Sequence, residues 1–172
     1  MDKPIVGIIM GSDSDLDIMG EAAKMLDEFG VANEVRVLSA HRTPDKTTEY
    51  VKSAKDRGLK VIIAGAGGSA HLAGVAAAHT TLPVLSIPVK RDGQDHEALF
   101  SNIMMPPGVP LAVMPENGGK NAALMAIEIL SLGDTNLAQK YSEFRQKQHD
   151  KVTEADTKIQ QKGWQEYLRD KG

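Results

Sequence analysis

The chain contains no cysteine among its 172 residues. This absence excludes disulfide bonds, thiolate metal ligands and a cysteine nucleophile together. Long apolar runs are missing as well, since none approaches the roughly 18 residues that a membrane-spanning helix needs. The N-terminus enters an apolar, strand-like run almost at once, without the basic and apolar regions of a secretory signal. We therefore expect a soluble, cytoplasmic protein with no membrane partner.

An excess of charge of one sign is also missing. The formal net charge is −3, and charged residues of both signs make up 25% of the chain. Nucleic-acid-binding domains concentrate positive charge on one face, so this composition argues against a nucleic-acid partner. No His-x-x-x-His pair or matching carboxylate cluster accompanies the five histidines, and we expect no metal site.

Five short apolar runs alternate with helical patterns. The apolar runs are residues 4–10, 31–38, 60–64, 82–89 and 109–114, and the helical patterns are residues 14–29, 43–57, 68–79, 95–105 and 121–132. Such alternation predicts βαβ units around a parallel sheet that is covered on both faces. We predict an α/β protein, a three-layer αβα sandwich with a five-stranded parallel flavodoxin-like sheet. The strand order 2-1-3-4-5 is inferred from that class.

A different pattern begins after residue 133. Apolar residues at helical spacing predict a long C-terminal helix: Leu137, Tyr141, Phe144 and Val152, with Gln148 in the same stripe. Because the sheet is already complete, this helix needs another surface, either in its own subunit or on a neighbour. We expect one domain, with residues 1–133 as its α/β catalytic part. Residues 134–172 would form a helical extension that packs on neighbouring subunits of a homo-oligomer.

The loops after the first three strands carry the residues of chemical interest. Ligands bind at the carboxyl ends of the strands in an open α/β sheet. The first loop, residues 11–15, precedes a predicted helix, and the N-terminus of a helix can bind a phosphate. Ser12 and Asp15 also have the spacing of a capping box, which is the alternative interpretation of this loop. In the second loop, His41 can transfer protons near neutral pH beside the permanent charge of Arg42. These loops predict a phosphate-bearing substrate with a histidine at the centre of its site.

The third loop, residues 65–71, is rich in glycine and ends at His71. Residues 65–70 match the G-x-G-x-x-A pattern of dinucleotide sites, but the next strand ends without the acidic residue that such sites require. We therefore expect close approach of a ligand to the backbone and no nicotinamide or flavin cofactor. Farther along, residues 104–110 form either a proline-set turn or a lid over a flat ligand. We interpret His79 and His149 as structural or exposed, while His96 stays unassigned.

Taken together, these motifs resemble the PurE family of de novo purine biosynthesis. The matching segments are residues 10–15, 39–44, 64–74, 105–108 and 121–124. The resemblance implies an octamer whose active sites lie between subunits and whose C-terminal helices reach neighbours. It also implies one of two activities: N5-carboxyaminoimidazole ribonucleotide mutase, or aminoimidazole ribonucleotide carboxylase that uses free CO2.

If the activity is that of the mutase, each candidate residue has an expected role. Its chemistry needs no cofactor, and we expect His41 to be the catalytic proton shuttle, with Ser12 and Arg42 holding phosphate. By resemblance, Asp15 contacts the phosphoribosyl end, and His71 with the glycine loop lines the carboxylate pocket. The remaining predicted substrate-binding residues are Ser39, Ala40, Gly67, Ser69 and Leu72.

Two departures from the family pattern stand out. Leu16 replaces a tryptophan common in bacterial mutases, and residues 90–97 and 115–120 differ from the usual segments. The mutase is the main expectation because the Ala-His-Arg-Thr-Pro loop and the Gly-Ala-Gly-Gly segment are both of the mutase type. The alternatives are the CO2-dependent carboxylase and a non-catalytic nucleotide-binding module, in which His41 does no chemistry.

Overall fold

The computed structural model describes residues 3–93 and 95–171. Its strands are β1 Val6–Met10, β2 Asn33–Val37, β3 Val61–Gly67, β4 Val84–Val89 and β5 Ala112–Val113. Its helices are α1 Leu16–Phe29, α2 Pro44–Ala54, α3 Leu72–Ala78, α4 Glu97–Ile103, α5 Gly119–Ser131, α6 Thr135–Lys162 and α7 Trp164–Lys171, with a 3₁₀ turn at Asp13–Asp15. The chain divides into two compact units, Met1–Leu130 and Ser131–Gly172.

The first unit holds a parallel sheet in the order β2-β1-β3-β4-β5. The predicted fold class and strand order are therefore confirmed. The central strands β1 and β4 are buried along their whole length, as continuous apolar runs require when helices cover both faces. β2 is an edge strand, and its Val35 and Val37 are exposed.

The fifth strand is shorter than the sequence pattern predicts. The apolar run of residues 109–114 contributes only Ala112–Val113 to the sheet. Pro106, Pro107 and Pro110 have no N–H to donate to a strand ladder, and Val109 N–H closes a turn onto the Pro106 carbonyl at 3.3 Å. Only two residues of this run therefore pair with β4 in the sheet.

Alternate residues of the strands face two helical layers. Ile9, Ile62 and Ala64 belong to one buried cluster with residues of α2 and α3. Ser86, in register with Ala64, bonds to Asn102 of α4 at 2.8 Å, so α4 lies on that same face. On the opposite face Gly65 leaves room for Met19 of α1, whose sulfur a Cβ would overlap.

The second unit consists of α6 and α7. Asp134 caps α6, because its Oδ1 accepts the Leu137 N–H at 3.0 Å. The helix continues for 28 residues to Gly163, where a φ of 83° ends it. An ion pair of 2.7 Å between Lys162 and Asp170 joins α6 to α7. Within residues 3–93 and 95–171, no helix is both long and apolar enough to cross a membrane.

Candidate active site

The loops after β1, β2, β3 and β4 enclose a cavity of about 240 Å³ at the carboxyl edge of the sheet. Its lining residues are Gly11, Ser12, Asp15, Ser39, Ala40, His41, Arg42, Ala66, Gly67, Ala70, His71, Leu72 and Arg91. The structure thus brings together all of the predicted site residues except Ser69. Ser69 is exposed outside the lining, because Gly68, with a φ of 61°, turns the loop just before it.

The first loop forms the predicted capping box and still opens onto the cavity. The Ser12 N–H donates to Asp15 Oδ2 at 3.2 Å, and the Ser14 N–H donates to Ser12 Oγ at 3.3 Å. Asp15 is only 1% exposed, although it lies at the cavity wall. The capping and ligand-binding interpretations of this loop are therefore compatible, because the box fixes the same side chains that line the cavity.

The second loop is held by a set of hydrogen bonds around Ser39. Its carbonyl accepts the hydroxyl hydrogens of Thr43 at 3.1 Å and Thr47 at 3.2 Å. The Ser39 N–H donates to Thr43 Oγ1 at 3.0 Å, and the Arg42 N–H donates to Ser39 Oγ at 3.2 Å. Pro44 then occupies the first position of α2, where its missing N–H costs nothing. This network fixes the backbone of the loop that carries His41 and Arg42.

The guanidinium of Arg42 crosses from the second loop to the first. Its Nη2 donates to the Gly11 carbonyl at 2.6 Å, and its Nε lies 3.4 Å from Ser39 Oγ. Arg42 thus lies next to Ser12 at the start of the 3₁₀ turn. A positive charge beside a serine hydroxyl forms a suitable site for a phosphate.

His41 and His71 meet across the cavity from two different loops. His41 Nε2 lies 2.9 Å from His71 Nδ1, and the rings are edge-to-face with centroids 5.0 Å apart. One ring nitrogen must donate and the other accept, so each imidazole determines the tautomer of the other. Both side chains are exposed to the cavity and neither is in the core. This pair can hold, give or take a proton beside a bound ligand.

Gly67 at the end of β3 brings bare backbone to the cavity wall. A Cβ there would lie 3.0 Å from the Val89 carbonyl oxygen and 3.4 Å from Arg91 Nε. A side chain at Gly67 would thus press against β4 and Arg91, and the approach of a ligand to this loop stays a prediction.

Arg91 is a cavity residue that sequence reasoning missed. Its Nη2 donates to Asp15 Oδ1 and to Ser14 Oγ, each at 2.8 Å. Arg91 follows β4 in a polar segment that belongs to none of the recognised motifs. Its position after a predicted strand could have indicated it, because ligands bind at the carboxyl ends of the strands in such a sheet.

The other histidines and the proline-rich loop lie outside this cavity. His96, which the sequence left unassigned, contacts a carboxylate, with its Nδ1 2.8 Å from Glu116 Oε2. His79 ends α3, and His149 contacts its neighbour Asp150, both exposed as predicted. Residues 106–109 form the proline-set turn, and the cavity lining includes none of residues 104–110.

The fold and the site together define a flavodoxin-like α/β protein whose cavity combines a histidine pair with the guanidinium groups of Arg42 and Arg91. The family model described as AIR carboxylase matches residues 5–151. The chain belongs to this family.

Individual relatives are similar over nearly the whole chain. It is 46% identical over 168 residues to an N5-carboxyaminoimidazole ribonucleotide mutase of Pyrococcus horikoshii, covering 97% of this chain and 95% of that one. It is 48% identical to a phosphoribosylaminoimidazole carboxylase of Saccharomyces cerevisiae, but this match covers 99% of the chain and only 30% of the yeast protein. The crystal structure of Treponema denticola PurE matches with a TM-score of 0.84 at 32% identity, covering 91% of this chain and 98% of that one.

Proposed function

We propose that this chain catalyses the N5-carboxyaminoimidazole ribonucleotide mutase reaction of de novo purine biosynthesis. The observation that carries the proposal is the 2.9 Å contact of His41 with His71, in one cavity with Arg42 and Ser12. Family membership and the similarity to mutases of nearly the same length support it. The enzyme is then an isomerase that moves a carboxylate from N5 to C4 of one nucleotide.

The reaction is a decarboxylation followed by a recarboxylation. The bond from N5 to the carboxylate carbon breaks, its electron pair stays on nitrogen, and N5 takes a proton as CO2 leaves. C4 of the imidazole ring then attacks CO2, and the new C4 adduct loses its ring proton. One proton is delivered and one is recovered, so the cycle is balanced without a redox cofactor, metal ion or nucleoside triphosphate.

His41 is the proton shuttle in this proposal. It gives its proton to N5 in the first half of the reaction and takes the proton from C4 in the second, as general acid and then general base. His71 holds the His41 ring in one orientation through the contact between their nitrogens. Confinement of CO2 between the two steps keeps the intermediate beside C4 and away from water.

The remaining cavity residues bind the nucleotide. Arg42 and Ser12 hold the phosphate, and Asp15 accepts hydrogen bonds from the ribose hydroxyls. His71 and the glycine loop around Gly67 line the pocket for the carboxylate and CO2. The other contacts come from Ser39, Ala40 and Leu72.

A second candidate is the aminoimidazole ribonucleotide carboxylase reaction with free CO2. The identity of 48% to the yeast carboxylase favours it. The two activities are distinguished by measuring product formation by the purified protein. The substrates are carboxylated and uncarboxylated aminoimidazole ribonucleotide, each supplied with and without bicarbonate. The mutase converts the carboxylated nucleotide at a rate that bicarbonate does not raise. Product that forms only from the uncarboxylated nucleotide with bicarbonate would overturn the mutase proposal.

The proposal extends to assembly and location. We propose a cytoplasmic homo-octamer in which residues 134–172 pack on neighbouring subunits and complete the catalytic part, residues 1–133. Exposed apolar side chains of α6 and α7 support an interface: Val152 is 70% exposed, and Trp164 and Leu168 are each 64% exposed. Apolar surface of this kind is normally covered by a partner.

A further inference from the structure

The side chain of Arg91 is tied to a buried carboxylate of the cavity. Its Nη2 lies 2.8 Å from Asp15 Oδ1, and the guanidinium is half-exposed while Asp15 is almost wholly buried. The arginine lies over Gly67, with its Nε near the place where a Cβ would stand. Arg91 therefore joins the first loop to the glycine loop at the cavity wall.

The Asp15 carboxylate depends on this partner for its orientation. A buried carboxylate is costly unless hydrogen bonds and an opposite charge compensate for its lost hydration. Oδ2 accepts the Ser12 N–H, and Oδ1 accepts from the Arg91 guanidinium. Within residues 3–93 and 95–171, Arg91 forms the only ion pair of Asp15. Each carboxylate oxygen keeps lone pairs for a further donor.

Arg91 is itself held in place by the loop that follows β5. The Asn117 side chain clamps the backbone of Lys90, since its Oδ1 accepts the Lys90 N–H at 2.8 Å and its Nδ2 donates to the Lys90 carbonyl at 3.2 Å. The Asn117 N–H adds a bond of 3.0 Å to the Pro88 carbonyl. Asn117 has a φ of 57°, a conformation that asparagine tolerates better than most residues.

The clamp joins two segments that lie far apart in the sequence, residues 90–97 and 115–120. They meet because Asn117 bonds to the backbone of Lys90, and Arg91 is the next residue along the chain. The joint result of the two segments is the placement of one guanidinium against Asp15.

We propose that Arg91 is a positioning residue that keeps the Asp15 carboxylate aimed at the ribose hydroxyls of the substrate. Arg91 acts through Asp15 and makes the site selective for a nucleotide that carries those hydroxyls. This inference rests on the proposed function, because it takes an aminoimidazole ribonucleotide as the ligand. It adds a specificity determinant that comes from the loop after β4.

The test compares two ligands on three variants. The ligands are 5-aminoimidazole ribonucleotide and its 2′,3′-dideoxyribosyl analogue, with Kd measured by calorimetry. The variants are Arg91→Gln, Arg91→Lys and the matched control Lys90→Gln, which removes a neighbouring positive charge that lies outside the cavity lining. Steady-state KM and kcat with the carboxylated substrate accompany the binding data, and thermal melts confirm folding.

Arg91→Gln should weaken binding of the ribonucleotide roughly tenfold, the loss of one charge-assisted contact. It should leave the Kd of the dideoxy analogue unchanged. The ratio of the two Kd values, which measures the preference for the hydroxyls, should therefore fall roughly tenfold. KM should rise by a similar factor while kcat stays within about threefold, because His41 is untouched. Arg91→Lys should recover part of the preference, and Lys90→Gln should retain all of it.

An equal loss of affinity for both ligands would overturn the inference, as would an unchanged preference in Arg91→Gln or an Arg91→Lys variant no better than Arg91→Gln. Failure of the proposed function gives a different result: the unmodified protein would then neither bind the ribonucleotide nor turn over its carboxylated form.

Discussion

His41 carries the most specific expectation for a single residue. Replacing His41 with Asn keeps a polar side chain of similar size but removes a group that can give and take a proton. We expect folding and nucleotide binding to stay near normal while kcat falls by about 10⁴-fold, the upper end for a general acid-base group, because two successive transfers are lost. Steady-state kinetics and calorimetry measure the two effects separately. A variant that keeps most of the turnover would rule out His41 as the shuttle.

Arg42 tests the phosphate site. Its guanidinium spans Gly11 and Ser39, and a lysine ammonium cannot reproduce this planar arrangement of donors. Arg42→Lys should weaken nucleotide binding by about one to two decades, which corresponds to roughly 1.5–3 kcal/mol for a charge-assisted bond. Arg42→Ala should weaken it at least as much. Unchanged affinity in the alanine variant would place the phosphate elsewhere.

Residues in compact motifs were predictable and residues joined across the fold were not. His41 and Arg42 belong to one short loop after a strand, and the strand's position alone indicates the ligand edge. Arg91 meets Asp15 across a separation of 76 residues, so only the folded sheet brings them together. Ser69 stays a prediction, since it is exposed and outside the cavity lining, directly after the left-handed turn at Gly68.

At the scale of elements, a hydrogen-bond network joins the edge strand β2 to α2 and to the turn after α2. The stability that this network contributes should depend on pH. Glu34 accepts hydrogen bonds from Tyr50 at 2.8 Å and from Arg57 at 2.6 Å. Burial alone would raise the pKa of Glu34, but the Arg57 and Tyr50 bonds and the nearby positive charges lower it below its usual 4.5. A carboxylate with a lowered pKa stabilises the fold above its unfolded pKa, and that contribution is lost as pH falls through the folded value.

Replacing Glu34 with Gln should therefore destabilise the protein at neutral pH and much less in acid. We expect a loss of about 1 kcal/mol in the free energy of unfolding, a modest value because the Arg57 side chain is 36% exposed. Urea denaturation near pH 7 and near pH 3 checks the difference, with Glu21→Gln as the control because its pair with Lys120 is 3.8 Å long and well exposed. A loss for Glu34→Gln of the same size at both pH values would contradict the linkage.

Hydrophobic periodicity predicted the strands and helices best where the pattern extends over many residues. β1 and α1 were predicted with small errors at their ends, since a buried strand and an amphipathic helix each have a clear period. β5 was overestimated because prolines keep most of its apolar run out of the sheet. The C-terminal helix was predicted from the apolar stripe between Leu137 and Val152, and α6 lies within the predicted helical extension of residues 134–172.

At the scale of the whole molecule, the account requires assembly. Light scattering on the full-length protein should give a mass well above the 18.5 kDa of one chain, close to that of an octamer. Deleting residues 134–172 should break the assembly and abolish activity, although His41 and Arg42 remain. A monomer of 18.5 kDa that still turns over substrate would show that the C-terminal helices do not pack on neighbours.

The central claim is that one site moves a carboxylate within a single nucleotide. The most direct measurement follows an isotopic label in the N5 carboxylate of the substrate while unlabelled bicarbonate is present in excess. Because CO2 stays confined between its release from N5 and its capture by C4, we expect the product to retain most of the label at its C4 carboxylate. Product whose carboxylate carries the unlabelled carbon of the surrounding bicarbonate would contradict the account.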